Sequence, residues 1–221
     1  MLEASEYNQS VLSDLSDQTF PDSFLEVKYT YAIPDGFIFV TDQYEQNLES
    51  YLKSKVVEEK EALSIFKEIM KSVYSLYTAG FWHRNIRPEH FVKIKDEWKM
   101  ESLVYSENIE DAEGYESEYL WNSAYQPPEA YNKTDFEEEE LDEMIVWNLG
   151  SLLVDILLSH HRLKDLTALN KFRDQAFSFK AIGVKKKFSK EVEDVLSRML
   201  HYNPSKRMKY KELFGNSFLC P

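Results

Sequence analysis

The sequence predicts a mainly α-helical fold with one small β-hairpin on its N-terminal side. Three observations predict it. Leu63, Phe66, Ile69, Met70, Val73, Leu76 and Tyr77 recur at helical spacing between Glu58 and Ala79. Met144 to Leu158 is apolar nearly all round, which marks a helix buried on every side. Phe24 to Ile33 and Phe37 to Thr41 are rich in β-branched and aromatic residues, with Pro34-Asp35-Gly36 between them. Pro pre-sets such a turn and Gly accepts positive φ. Strands and helices do not alternate along the chain, so a parallel α/β sheet is excluded.

Hydrophobic residues make up 43% of the 221-residue chain and aromatics 14%, enough to build a core. The formal charge of −13 repels phosphate backbones and anionic lipid, so neither nucleic acid nor membrane is an expected partner. No apolar run reaches the roughly 18 residues of a membrane span. Met1 to Phe20 is polar and acidic, without the basic and apolar regions of a secretory signal. The single cysteine, Cys220, has no internal thiol to pair with. A cytoplasmic protein is expected.

Taken in order, residues 1–23 read as a polar arm carrying isolated Val11, Leu12, Leu15 and Phe20. The hairpin follows. Asn47 to Lys53 reads as a short helix, and the long helix from Glu58 is stopped by Gly80. Phe91 to Ile94 and Trp98 to Tyr105 read as strands with a turn at Lys95-Asp96-Glu97. Residues 108–126 read as acidic and irregular. The run Asp135 to Glu143 reads as solvated charge favouring the N-terminus of the buried helix. Val192, Val195, Leu196, Met199 and Leu200 mark another amphipathic helix, and Met208 to Phe214 a short last one.

Four ordered motifs then bear on function. Phe81-Trp82-His83-Arg84-Asn85-Ile86-Arg87-Pro88-Glu89-His90-Phe91 resembles the catalytic loop of eukaryotic protein kinases, H-R-D-L-x-P-E-N. Tyr125-Gln126-Pro127-Pro128-Glu129 resembles the A-P-E end of their activation segment. Val146-Trp147-Asn148-Leu149-Gly150 resembles the W-S-L-G start of their central helix, and Asn203-Pro204-Ser205-Lys206-Arg207 their D-P-x-x-R. Phe37 to Leu52 resembles the last strand of the smaller lobe, the hinge and the first helix of the larger one. The resemblance extends over residues 37–218. It implies a kinase-like C-lobe preceded by a vestigial hairpin, with residues 1–23 an arm, 24–43 the remnant hairpin and hinge, and 44–221 the C-lobe.

The resemblance also implies roles, and the sequence departs from several. In kinases the loop Asp accepts the substrate hydroxyl's proton, while the loop Asn and the D-F-G Asp hold Mg²⁺. Asn85 stands at the first position and cannot act as a base. Arg87 replaces the loop Lys, and His90 the metal-binding Asn. The D-F-G position falls at about Ser102, with Glu101 beside it. No Gly-rich loop and no V-A-I-K precede Phe37. These departures imply a non-catalytic pseudokinase, not an enzyme, with no cofactor and no metal. The scaffold positions persist. Glu129 and Arg207 match a buried ion pair, His83 and Arg84 match packing positions of the loop, and Trp147 and Gly150 open the central helix. Ile145 stands where an Asp normally fixes the catalytic loop.

Other clusters read blandly. His160-His161 lack further ligands for a metal and suit a helix C-terminus. Lys185-Lys186-Lys187 read as a solvated loop. Tyr105, Tyr115, Tyr119, Tyr125 and Tyr131 read as packing or partner contacts around the activation segment. Three functions stay open: a scaffold or structural subunit of a larger cytoskeletal or ciliary assembly, a kinase mimic that inhibits a true kinase by pairing with its lobes, and a residual nucleotide-binding enzyme. The expected partner is a protein. Its expected docking place is the top of the C-lobe, around Phe81, Trp82 and the helix from Asn47, where a missing lobe leaves apolar surface to be covered by the chain's own residues 1–36, by a partner, or by both.

Overall fold

The computed structural model describes residues 22–34, 36–101, 103, 105–109, 125–131, 138–159 and 177–219. Strands β1 (Val27–Ile33) and β2 (Gly36–Thr41) form an antiparallel hairpin in which Ile33 pairs with Gly36 across the turn. Strand β3 (Gln46–Asn47) runs directly into helix α1 (Leu48–Ser54), because the Asn47 side chain accepts the Ser50 N–H and caps it. Helix α2 (Glu59–Thr78) buries Ile65, Phe66, Ile69, Met70, Val73 and Leu76 along one stripe. It ends where Gly80 takes φ +85°, a conformation that a side chain resists.

Strand β4 (Phe81–His83) pairs with β7 (Ser106–Asn108), and β5 (Phe91–Ile94) lies between β3 and β6 (Glu97–Met100). Lys95 and Asp96 both have positive φ, which gives the tight turn between β5 and β6 its primed geometry. The reading of Trp98 to Tyr105 as one strand is corrected. Strand β6 ends at Met100, with the Glu101 N–H adding one last bond in the same register to the His90 carbonyl at 2.8 Å, and the strand that pairs with β4 begins only at Ser106. Phe24 and Leu25, read as the start of the hairpin, lie against β6. The Leu25 N–H reaches the Met100 carbonyl at 2.8 Å, and the Ser23 carbonyl accepts from Met100 N–H and the Ser72 hydroxyl.

Helix α3 (Glu138–Leu158) is the axis of the core. Met144, Val146, Leu149, Leu152, Leu153, Val154, Ile156 and Leu157 are wholly buried. Helices α2, α4 (Lys190–Met199) and α5 (Tyr210–Phe214) pack around it. Ser189 caps α4 by accepting the Val192 N–H. Gly150 is required where α3 meets α4: a Cβ there would stand 2.9 Å from Leu200 Cδ2 and 3.1 Å from Met199 Cβ.

Two side chains tie the C-terminal end of α3 to the segment before α2. Ser159 accepts the Val57 N–H at 3.0 Å, and Lys186 Nζ donates to the carbonyls of Val57 and Leu157. Lys186 is thus a structural cation rather than part of a solvated loop, while Lys185 and Lys187 are exposed. The arm residues 1–21, His160-His161, Tyr115, Tyr119 and Cys220 lie outside the described residues. Among the described residues, no helix is long and apolar enough to cross a membrane.

Candidate functional site: the loop between β4 and β5

Strand β4 is buried along its length, and its pairing with β7 fixes where the following loop begins. The Arg84 N–H continues that pairing to the Tyr105 carbonyl at 3.1 Å. The loop then folds on itself: His83 Nδ1 accepts the Asn85 N–H at 3.2 Å, so this nitrogen is unprotonated. Pro88 opens a 3₁₀ turn, Pro88–His90, that leads into β5. His83, Arg84, Asn85 and His90 are all buried.

Three rings line the inner side of this loop. His90 lies 4.9 Å from Tyr105 and 5.6 Å from His83, centroid to centroid. Burial, with the adjacent Arg87 charge, pushes the His90 imidazole down to about 4, so it is neutral at pH 7. Arg87 stands between His90 Nε2 at 3.4 Å and Glu89 Oε1 at 3.3 Å, and its buried Nε has no hydrogen-bond partner. Near the loop's far side the charge of Glu101, with burial, raises the Tyr44 phenol above its ordinary range. The arrangement supplies a cation at Arg87 and a neutral imidazole at His90. The neutral amide of Asn85 has no basic lone pair to take a proton from a hydroxyl. Ser102 lies outside the described residues. Among the described residues, no cluster of three or more His, Cys, Asp or Glu side chains has a metal-holding arrangement.

The second constellation lies at the other side of α3. Arg207 follows a 3₁₀ turn, Pro204–Lys206, which Asn203 caps by accepting the Ser205 N–H. Its guanidinium makes a two-pronged ion pair with Glu129, at 2.6 and 3.0 Å. It also donates to the carbonyls of Glu143 and His201 and lies 5.0 Å above the Trp147 ring. The Arg207 side chain is 0% exposed. Sequence reasoning missed two residues that hold the segment carrying Glu129. Asn148 donates to the Tyr125 carbonyl at 2.6 Å, and the Tyr125 hydroxyl donates to Asp155 at 2.6 Å. Asn148 and Asp155 are polar groups in a mostly apolar stretch, seven residues and so about two turns apart on one face, and that interruption was the available signal. Ile145, which replaces the expected Asp, is itself buried.

At the expected docking place the apolar side chains are covered within the chain. Phe81 and Trp82 are each only 4% exposed, and Leu48 and Leu52 of α1 are fully buried. The pairing of β4 with β7 and the contacts of α2 cover them. Among the described residues, exposed large apolar side chains gather on the hairpin, at Tyr29, Tyr31, Ile33, Ile38 and Val40, with Tyr44, Val56 and Tyr74 scattered elsewhere.

With this geometry in view, residues 19–219 match the model of the protein kinase domain. The chain is 23% identical to ribosomal protein S6 kinase 2 alpha of Xenopus laevis, over 78% of this chain and 24% of that protein. It is 21% identical to cyclin-dependent kinase F-4 of Oryza sativa subsp. japonica, over 83% of this chain and 46% of that protein. It is 23% identical to a probable serine/threonine-protein kinase of Dictyostelium discoideum, over 55% of this chain and 24% of that protein. The chain therefore spans less than half the length of each of these relatives. These matches overturn the expectation that the chain is not an enzyme: they point to a protein kinase. That expectation rested on the replaced loop residues, the D-F-G position and the lack of a nucleotide clamp, whereas the match runs over residues 19–219. The chain belongs to the protein kinase domain family.

Proposed function

We propose that this kinase-family chain works as a protein-binding scaffold, a subunit that holds another protein within a larger cytoplasmic assembly. One observation carries the reading. Five large apolar side chains of the hairpin, Tyr29, Tyr31, Ile33, Ile38 and Val40, are between 37% and 62% exposed. Surface of that kind, gathered on one element, marks interaction sites on soluble proteins. An isolated two-stranded hairpin is also marginally stable in water and gains from being covered. The same observation supports reading the chain as the larger, helical lobe of a kinase domain, with β1 and β2 as the remnant of the smaller lobe.

The test uses the full chain as bait, beside a Tyr31→Glu variant, with phosphotransfer to a generic protein substrate measured on the same preparations. The expected result is a stoichiometric protein partner that survives stringent washing. Phosphotransfer turnover without any stable partner would sink the scaffold reading.

A further inference from the structure

We infer that the hairpin face takes one amphipathic α-helix with a basic outer side, supplied by a protein partner. This deepens the scaffold reading and rests on it. The register sets the face. Tyr29 pairs with Val40 and Tyr31 with Ile38, while Ile33 pairs with Gly36. Side chains alternate along a strand, so Tyr29, Tyr31, Ile33, Ile38 and Val40 share one side of the hairpin. Val27 lies beyond the irregularity in β1 and pairs with Thr41, so it does not extend this side. All five side chains are exposed, and no described element covers them.

The dimensions select the occupant. Two strands about 4.8 Å apart, with their side chains, present a strip about 10 Å wide, and five residues give it a length of about 16 Å. A single α-helix is about 10 Å across, and about 11 residues span that length. A second sheet or a globular surface would need a broader apolar area. Strand addition would use the outer edges of β1 and β2, whereas the apolar side chains are on the face.

Charge selects the chemistry. Glu26, Asp42 and Glu45 are exposed beside the hairpin against one cation, Lys28, which is already ion-paired with Asp42. The whole chain carries −13. A second copy would bring the same negative field and be repelled, whereas a helix with Lys and Arg on its outer side is drawn in.

Three stapled or linear 14-residue peptides test this against the full chain. One is a stapled Leu/Lys amphipathic helix, one has the same composition with the Leu residues scattered, and one is a stapled Leu/Glu helix. A fourth, extended Val/Lys alternating peptide tests strand addition. Binding is read by fluorescence anisotropy and its location by amide exchange. The expected result is at least tenfold tighter binding of the basic stapled helix, with protection confined to β1 and β2. Tyr29→Ser combined with Ile38→Ser should cost at least tenfold. Thr30→Ser, on the opposite side, should leave binding unchanged. Equal binding of the scattered peptide, preference for the extended or acidic one, or protection elsewhere would overturn the assignment. So would a dimer of the free chain that Tyr31→Ser dissolves. A native partner captured equally by the wild type and the double variant leaves the scaffold reading standing and removes the hairpin as its site.

Discussion

Two regions of the chain treat their strong groups differently. Around Arg207 the chain is closed on itself: four hydrogen bonds from one guanidinium reach Glu129, Glu143 and His201, and the ring of Trp147 lies beneath it. Along β1 and β2 Tyr29, Tyr31, Ile33, Ile38 and Val40 are exposed, and among the described strands the two pair with each other alone. Both regions are built from residues the sequence singles out. The difference is whether the chain supplies the partner. A buried charge has to be answered within the fold, because leaving it unanswered costs more than the fold can bear. An exposed apolar strip costs far less, so it persists as a surface for something else.

Substitutions sharpen that contrast. Arg207→Ala should cost about 3–5 kcal/mol, because it orphans a partly buried Glu129 and two carbonyls. Urea unfolding measures it, and a midpoint close to wild type would mean that the two regions do not differ as described. The next effect is set by pH. His90 is held neutral, at about 4, against an ordinary value of 6.5. The unfolded chain therefore takes up the proton first. The stability present above pH 6.5 is lost as pH falls from about 6.5 to 4, by roughly 3 kcal/mol at about 1.36 kcal/mol per unit. His90→Gln should flatten that slope, as unfolding curves at several pH values would reveal.

Gly150→Ala should be smaller, about 1–3 kcal/mol, because the new methyl meets Leu200 and Met199 in a packed interior. A thermal scan that shows no loss would mean that α4 moves aside freely. Smallest of all, Tyr29→Ser with Ile38→Ser should change stability by no more than about 0.5 kcal/mol per site, since both side chains are exposed. A large loss there would show that the hairpin face is already engaged within the chain.

The same contrast explains what was legible in the sequence. Met144 to Leu158 announces a buried helix because every side of it is apolar, and the helix begins earlier, at Glu138, where acidic residues favour a helix N-terminus. Asn47, Gly80 and Ser189 mark their helix ends by chemistry that is local to a few residues. Pairings between distant segments were harder. Trp98 to Tyr105 carries the composition of one strand, yet β6 ends at Met100 and the next strand, in a different sheet, begins at Ser106. Phe81 and Trp82 look like candidates for exposure until β7 is known to cover them. Asn85, Arg87 and His90 could be placed in one loop from the motif alone. The neutrality of His90 could not, because it depends on burial and on the position of Arg87.

The Arg207 latch also has a consequence for biosynthesis. The cation that answers Glu129 lies 78 residues farther along the chain. At about 5–20 residues per second, translation needs roughly 4–16 s to cover that interval. Until then the acid lacks the cation that answers it in the fold, and α3 emerges ahead of the α4 and α5 that pack on it. The core therefore closes only after Arg207 has been made, and the nascent segment from Glu129 through α3 is where chaperone engagement is expected to concentrate.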